Sequence, residues 1–388
     1  MSIKEEMGSM TSRRGRRLGA TSLLLILVTS LPVSGQETAI ALSSPSVFVG
    51  SEADGGATFS RISDVVPLPD GRFAVGDDGN IELLSLDPEF GIVDVWGAHG
   101  QGPGEFESVR GLWIDGARLY VLDTRAGRIT GFSADGLVEE TIALELPPGR
   151  VGSPELALPA ALGGKLFLGG LSASPPEGGF SADILTLMRY SDDGAFEAAL
   201  GSEVTLSRFH IPGFSGAHAF SPRASIAGFG SDVYLGNGLA PSIRRFSVSG
   251  VERDPLILSG LPEPPGAGEA WEKVDSLLDV AELPARVRGW LADQPRDPRP
   301  VPSYSAFVVD AVDGTLWVKE FNPNRDYAVP SVRNKPGGVW HQIEPSGATV
   351  ARYAMPDQFV LLRVHDGRFI GYTIGAFDEH IVTVYERP

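Results

Sequence analysis

An all-β fold of repeated four-stranded units is what this 388-residue sequence predicts, and three observations predict it. Six segments share one design: an apolar run, a Gly-containing turn and a second apolar run. Five of the six are followed, at the distance of another hairpin, by a second turn of the same kind. The last unit stops after its third strand, and a spare strand lies at the other end of the chain. A four-stranded sheet cannot bury both its faces alone, so six such units must stack around an axis, which is a six-bladed β-propeller.

The first turns stand in VVPLPDGRFAV, LWIDGARLYVLD, AALGGKLFLG, IAGFGSDVYLG, FVVDAVDGTLWVK and LLRVHDGRFIGY. Their glycines (Gly71, Gly116, Gly164, Gly230, Gly314, Gly367) sit just before β-favouring residues such as Phe73, Tyr120 and Trp317. Apolar runs flanking an Asp-Gly or Gly-Gly turn have the sequence form of a β-hairpin. The second turns stand in LLSLDPEFGIVDVW, ITGFSADGLVEETI, LMRYSDDGAFEAAL, RRFSVSGVERDPLI and HQIEPSGATVARYA. Each unit therefore reads as four antiparallel strands. The sixth reaches Pro388 after three, and ETAIALSSPSVFVG at 37–50 would supply its fourth strand, closing the ring without an open edge. Between units four and five lies a helical insertion at about 262–295. In it GEAWEKVDSLLDV places Trp271, Val274, Leu277 and Leu278 at helical spacing, and ARVRGWLADQ after Pro284 reads as a second helix.

Composition agrees with many tight turns: the chain has 48 Gly and 30 Pro. Arg13, Arg14, Arg16 and Arg17 precede the apolar run TSLLLILVTSLPV, and Val33-Ser34-Gly35 offers small residues before Gln36. That order is a secretory signal peptide, so residues 1–35 are expected to be removed and 36–388 to form one exported domain, periplasmic or extracellular. The run is too short to span a bilayer comfortably, and no later segment is long enough. With no cysteine, the chain has no disulfide, thiol chemistry or cysteine-linked lipid anchor. Residues 1–35 carry one Lys and four Arg against two Glu, so their loss takes the net charge from −17 to about −20. Such a surface disfavours nucleic acid and anionic membrane. A monomer is expected.

The stretch GAHGQGPGEFESVRG has the glycines of a phosphate loop but neither the following helix nor the lysine that such a loop uses. It reads instead as a crossing between two units, with Phe106 as a wedge.

The string GQGPGEFESVRGLWIDGARLYVLDTRAGRITGFSADG resembles a blade junction of the NHL-repeat-related six-bladed propellers, within the TolB-like superfamily. DGTLWVKEF, VWHQIEPSGATVARYAMP and DEHIVTVYERP resemble the last two blades of its exported bacterial members. The resemblance covers most of residues 37–388. Relatives with lactonase or lyase activity place metal ligands around a central channel, and those ligands have no residue-by-residue match here.

Chain direction sorts the connections. The short turns within the hairpins fall at one face; the long connections at 171–181, 201–217, 260–302 and 320–337 fall at the other, the top. Long loops on a rigid scaffold usually carry binding groups. The top-face binding candidates are His99, Arg125, His210, His218, Lys319, Asn322, Arg325 and Tyr327. Arg333 and Lys335 add to the basic residues of the last loop. No zinc spacing joins the six histidines, and no G-x-S-x-G elbow is present. Asp77, Asp78 and Asp123 close second strands, where an Asx-type turn is the expected use and calcium the competing one. The cofactor stays unknown, with calcium its one named candidate.

The function expected is a non-catalytic binding module for an unidentified protein or small molecule. The alternative is a metal-dependent, lactonase-like hydrolase or lyase at the channel mouth. Sugar binding through Trp96, Trp113, Trp317 or Trp340 competes with packing of those rings between blades.

Overall fold

The structure, a computed structural model, describes residues 38–50, 59–89, 91–148, 153–157, 164–175, 177, 179–211, 214–280, 289, 296, 300–323 and 336–388. Thr38–Pro388 form one contact unit; Met1–Glu37, which hold the expected signal peptide, lie outside the described residues.

The chain enters through two short strands, β1 (Ile40–Ala41) and β2 (Val47–Val49). Six sheets follow in sequence order. Sheet one holds β3 (Ile62–Pro67), β4 (Phe73–Asp77), β5 (Glu82–Asp87), β6 (Gly91–His99) and the two-residue β7 (Glu105–Phe106). Sheet two holds β8 (Gly111–Asp115), β9 (Arg118–Asp123), β10 (Arg128–Phe132) and β11 (Val138–Ala143). Sheet three holds β12 (Ser153–Ala157), β13 (Lys165–Ala173), β14 (Phe180–Ser191), β15 (Phe196–Ile211) and β16 (Phe214–Ala217). Sheet four holds β17 (Ser225–Phe229), β18 (Asp232–Gly236), β19 (Ser242–Ser247) and β20 (Glu252–Ile257). The helix α1 (Ala267–Val280) then precedes sheet five: β21 (Tyr304–Val309), β22 (Leu316–Glu320), β23 (Gly338–Ile343) and β24 (Thr349–Met355). Sheet six holds β25 (Phe359–His365), β26 (Arg368–Ile374) and β27 (His380–Glu386). Nearly all-β, with one short helix, α1, among the described residues, the described chain is consistent with a β-propeller. No helix among the described residues is long and apolar enough to cross a membrane.

Apart from the parallel pair β6–β7, consecutive strands of a sheet pair antiparallel, and most are joined by tight turns whose residues say why. The six first-turn glycines and five second-turn glycines all have positive φ, between 60° and 92°. A side chain there would strain the backbone, which leaves glycine as the default. At the β25–β26 turn both central residues, Asp366 and Gly367, have positive φ, the type I′ requirement.

The N-terminal segment does more than supply one strand. β2 pairs antiparallel with β27 (Val47 opposite Val384, Val49 opposite Val382), as the fourth strand of sheet six. β1 adds, parallel, to β24 in sheet five. Sheet three also departs from expectation. Residues 201–217, read as a long loop, continue β15 and return as β16, because Val204 stands opposite Ile184, Phe209 opposite Phe180, and Leu206 packs with Ala217 of β16. The second helix expected after Pro284 lies outside the described residues, apart from Gly289.

The core sits between sheets. One buried apolar cluster joins sheets one and two, and others join two and three, three and four, four and five, and five and six. A further cluster joins sheet six to sheet one through Phe59, Val65, Val75, Ile370, Val382 and Val384. Phe106 is fully buried between sheets one and two, the wedge expected of the glycine-rich crossing. Trp113, Trp317 and Trp340 are buried within these clusters, Trp317 edge-on to Phe369 at 5.0 Å.

At the contact of sheets six and one, His380 Nδ1 accepts the Ile62 N–H at 2.9 Å, and its ring stacks on Tyr372 at 4.0 Å. Acceptance at Nδ1 requires the neutral ring. Burial holds its pKa below the usual histidine value; Arg61 acts in the same direction, while Asp77 and Asp378 oppose it. The unfolded chain therefore takes up this proton first as pH falls, so this group's contribution to stability declines from about pH 6.5 down to the depressed folded value and is gone below it. His365, also depressed chiefly by burial, adds in the same direction. Denaturant midpoints at pH 7.5 and 5.5 should fall for the wild type and fall less for His380→Gln. Equal falls would remove His380 from the account.

Candidate functional site

Each sheet has an upper edge, where its second strand hands over to its third. Buried carboxylates organise the upper edges of sheets one and two. Asp77, at the end of β4, accepts the N–H groups of Ser60 and Arg61 at 2.8 Å each and that of Gly79 at 2.9 Å. Asp123, at the end of β9, accepts those of Glu107 and Ser108 at 2.8 and 3.0 Å and that of Ala126 at 3.1 Å. Each carboxylate makes the expected Asx-type turn and also pins the segment entering its sheet. Asp78 accepts the Val109 N–H and an Arg61 guanidinium bond. Among the described residues no group of three or more His, Cys, Asp or Glu is placed to hold a metal ion.

Two cavities open at upper edges. The larger, about 620 Å³, lies in sheet three and is lined by Ser174, Glu177, Phe180, Ala182, Val204 and Ser207, among others. It borders the expected 171–181 connection. Side chains alternate along a strand, so the β14–β15 register puts Ser181, Asp183, Arg208 and His210 on one face. There Ser181 Oγ meets His210 Nε2 at 2.8 Å, and Arg208 clamps Asp183 through two nitrogens at 2.7 and 3.2 Å. Burial pulls the Arg223 guanidinium below its usual range, with Asp183 opposing.

The smaller cavity, about 260 Å³, lies where sheets four and five meet. The segment after β20 gives Pro262, Glu263, Pro264 and Pro265; α1 gives Lys273; sheet five gives Ser303, Glu320, Phe321, Asn322 and Pro323. Glu320 ends β22, on the face it shares with Val318, opposite His341 in the ladder, and His341 stands opposite Arg352. Glu320 Oε2 consequently meets His341 Nε2 at 3.1 Å and accepts from Arg352 Nη2 at 3.4 Å. His341, fully buried, meets Thr349 Oγ1 through Nδ1 at 3.2 Å. The Thr349 hydroxyl in turn donates to the Ser259 carbonyl at 3.0 Å. A polar chain thus runs from the cavity into the packed seam.

The sequence candidates fare unequally. Asn322 lines the smaller cavity. His210 stands beside the larger one, held by Ser181. His99 and Arg125 are exposed on the upper edges of sheets one and two, where Arg125 donates to the Glu107 carbonyl. His218 is not a surface group: it is 1 % exposed, packed edge-on to Trp271 at 5.8 Å, because α1 lands on it. Lys319 is likewise not on the loop. It lies within β22, 1 % exposed, on the same side as Trp317 and with Gly338 against its stem. Arg325, Tyr327, Arg333 and Lys335 lie outside the described residues. The chain Glu320–His341–Arg352 had no local signal, since its members are on three strands. Period-two alternation along LWVKE was the one clue that Lys319 and Glu320 face opposite ways.

No family model matches the chain, and no curated protein matches it. Among solved structures it is similar to an exported-protein candidate of Bacteroides fragilis, at 12% identity and a TM-score of 0.49, covering 90% of this chain and 100% of that one. It is similar to a gluconolactonase of Xanthomonas campestris, at 12% identity and a TM-score of 0.44, covering 91% and 99%. Regucalcin, a calcium-binding protein of Agrobacterium tumefaciens, gives 12% identity and a TM-score of 0.44, covering 90% and 97%. These neighbours are β-propeller proteins. At such values the likeness says nothing of ligand or chemistry.

Proposed function

We propose that the protein is an exported, monomeric six-bladed β-propeller of the NHL-related, TolB-like kind, whose upper connections bind a small molecule or a protein without catalysis. Six sheets in sequence order, a shared core between each and the next, and β2 seated on β27 support the propeller with its ring closed by the N-terminal strand. The order of arginines, apolar run and small residues before Gln36 supports export. The observation that carries the binding reading is that two cavities among the described residues open at upper connections, one at 171–181 and one between the 258–266 segment and the 320–323 segment. His99, Arg125, His210 and Asn322 belong to that face; His218 and Lys319 support it from within.

The competing activity is metal-dependent lactone or ester hydrolysis. Metal analysis of the chain beginning at Gln36, melting with and without a chelator, and a lactone and ester panel decide between them. A chelator-independent melt and no turnover are expected. One equivalent of divalent metal, with turnover lost on chelation, would replace the binding reading by the enzymatic one.

A further inference from the structure

We infer that the smaller cavity is a receptor for a primary ammonium group carried on an alkyl chain. This rests on the reading of the upper connections as a binding face and names what that face takes. Four of the lining residues are prolines, which have no N–H to offer. The Ser303 and Phe321 N–H groups are already given to the carbonyls of Gly238 and Ser303. Glu263 and Glu320 are acceptors only when ionised. Lys273, the one cation in the lining among the described residues, pairs with Glu269 at 2.9 Å, one turn back on α1. The lining also brings donors, in the Ser303 hydroxyl, the Asn322 amide and the Lys273 ammonium, so the recognition rests on its two carboxylates.

Glu320 is the positioned member. Its Oε2 is held by both His341 and Arg352, while Oε1 has no hydrogen-bond partner among the described residues. A carboxylate fixed through one oxygen presents the other without further ordering, which is how a binding group is pre-organised. An ammonium supplies three donors and no acceptor, the complement of the open Glu320 oxygen and of the Glu263 carboxylate. The proline rings and Phe321 offer apolar contact to its stem. At about 260 Å³ the space suits a single alkylamine rather than a larger ligand. The net charge of −17 favours the approach of cations. The alkylammonium could come from a free amine or from a lysine side chain of a protein.

The test titrates n-pentylamine, Nα-acetyl-lysine amide and the uncharged Nα-acetyl-norleucine amide into the chain beginning at Gln36, followed by calorimetry. Both amines should bind saturably and the norleucine compound should not. Glu320→Gln, which keeps an oxygen for Arg352, should weaken the amines at least tenfold. The exposed Glu263→Gln should weaken them severalfold with an unchanged melt. Tighter binding of the lysine amide assigns the site to a protein side chain, and tighter binding of pentylamine to a free amine. Equal binding of the norleucine compound, no saturable binding, or unchanged affinity in both variants overturns the inference. Displacement of the amines by equimolar calcium overturns it in favour of a metal site. If the amines fail while a partner is still held by the upper connections, the ammonium assignment falls and the binding reading stands.

Discussion

A chain beginning at residue 51 is expected to be less stable than one beginning at Gln36 by about 4 kcal/mol, and to self-associate. The strand β2 gives sheet six its outer edge, with Val47, Phe48 and Val49 opposite Val384, Thr383 and Val382, and the Ser46 N–H donates to the Val384 carbonyl at 2.8 Å. Each ladder hydrogen bond contributes about 1 kcal/mol net. Half-burying Val47 and Val49 against the sheet six–one core adds roughly 1 kcal/mol apiece. Leu42, packed on the sheet five–six core, is lost as well. The loss is a large fraction of an ordinary domain stability of about 5–15 kcal/mol. It also leaves β27 as an unpaired edge, an invitation to pair with another molecule. Chemical unfolding and gel filtration of the two chains test this. A full-length Val47→Asp, Val49→Asp variant asks the same of a chain of unchanged length. Equal midpoints and one monomeric peak in all three would mean that β2 is not what holds the last sheet to the first.

How much of this was legible beforehand follows the range of the interactions involved. Turns are local, and every glycine picked out as a turn residue has the positive φ that its position needs. The helix α1 was legible for the same reason, from four residues at helical spacing. The seat of β2 on β27 is distant in sequence, yet it could be read because a missing strand and a spare one are complementary defects. The 201–217 segment misled because its glycines, serines and proline look like loop, while the alternation of Val204 and Leu206 that makes β15 continue is short. His218 misled for a different reason. Its own neighbours, GFSGAH, suggest exposure; Trp271, which buries it, arrives from α1 across a whole sheet of sequence.

The candidate sites show the same division. Asp77 and Asp123 were readable as turn residues, but not the second job each performs for the segment entering the sheet. Glu320 was not readable at all. Its neighbours His341 and Arg352 come to it through two strand registers, and the segment that walls the cavity comes from beyond sheet four. Loop length pointed to the upper connections as the proposed face; the side-chain chemistry there needed the ladder.

Asp123→Ala is the single substitution expected to cost most. The carboxylate is completely buried, and three backbone N–H groups and the Ser108 hydroxyl, at 2.9 Å, converge on it. Alanine takes the acceptor from all four donors; the Ser108 hydroxyl keeps Thr124 Oγ1 at 3.1 Å, and each N–H that finds no other partner costs about 1–3 kcal/mol. Rearrangement at the half-buried Ala126, next to the exposed Arg125, will relieve some of that, so a loss of about 3–5 kcal/mol is expected. Asp123→Asn keeps the volume and one acceptor oxygen. Its amide must turn a donor toward another donor, either the Glu107 N–H or the Ser108 pair, so roughly half the loss should remain. If packing alone mattered, asparagine would match the wild type, and alanine would lose only the modest cost of a small cavity. The two variants therefore separate hydrogen-bond satisfaction from volume. An alanine variant within about 1 kcal/mol of the wild type by denaturant unfolding would show that this upper edge is held by the inter-sheet apolar cluster and not by its buried carboxylate.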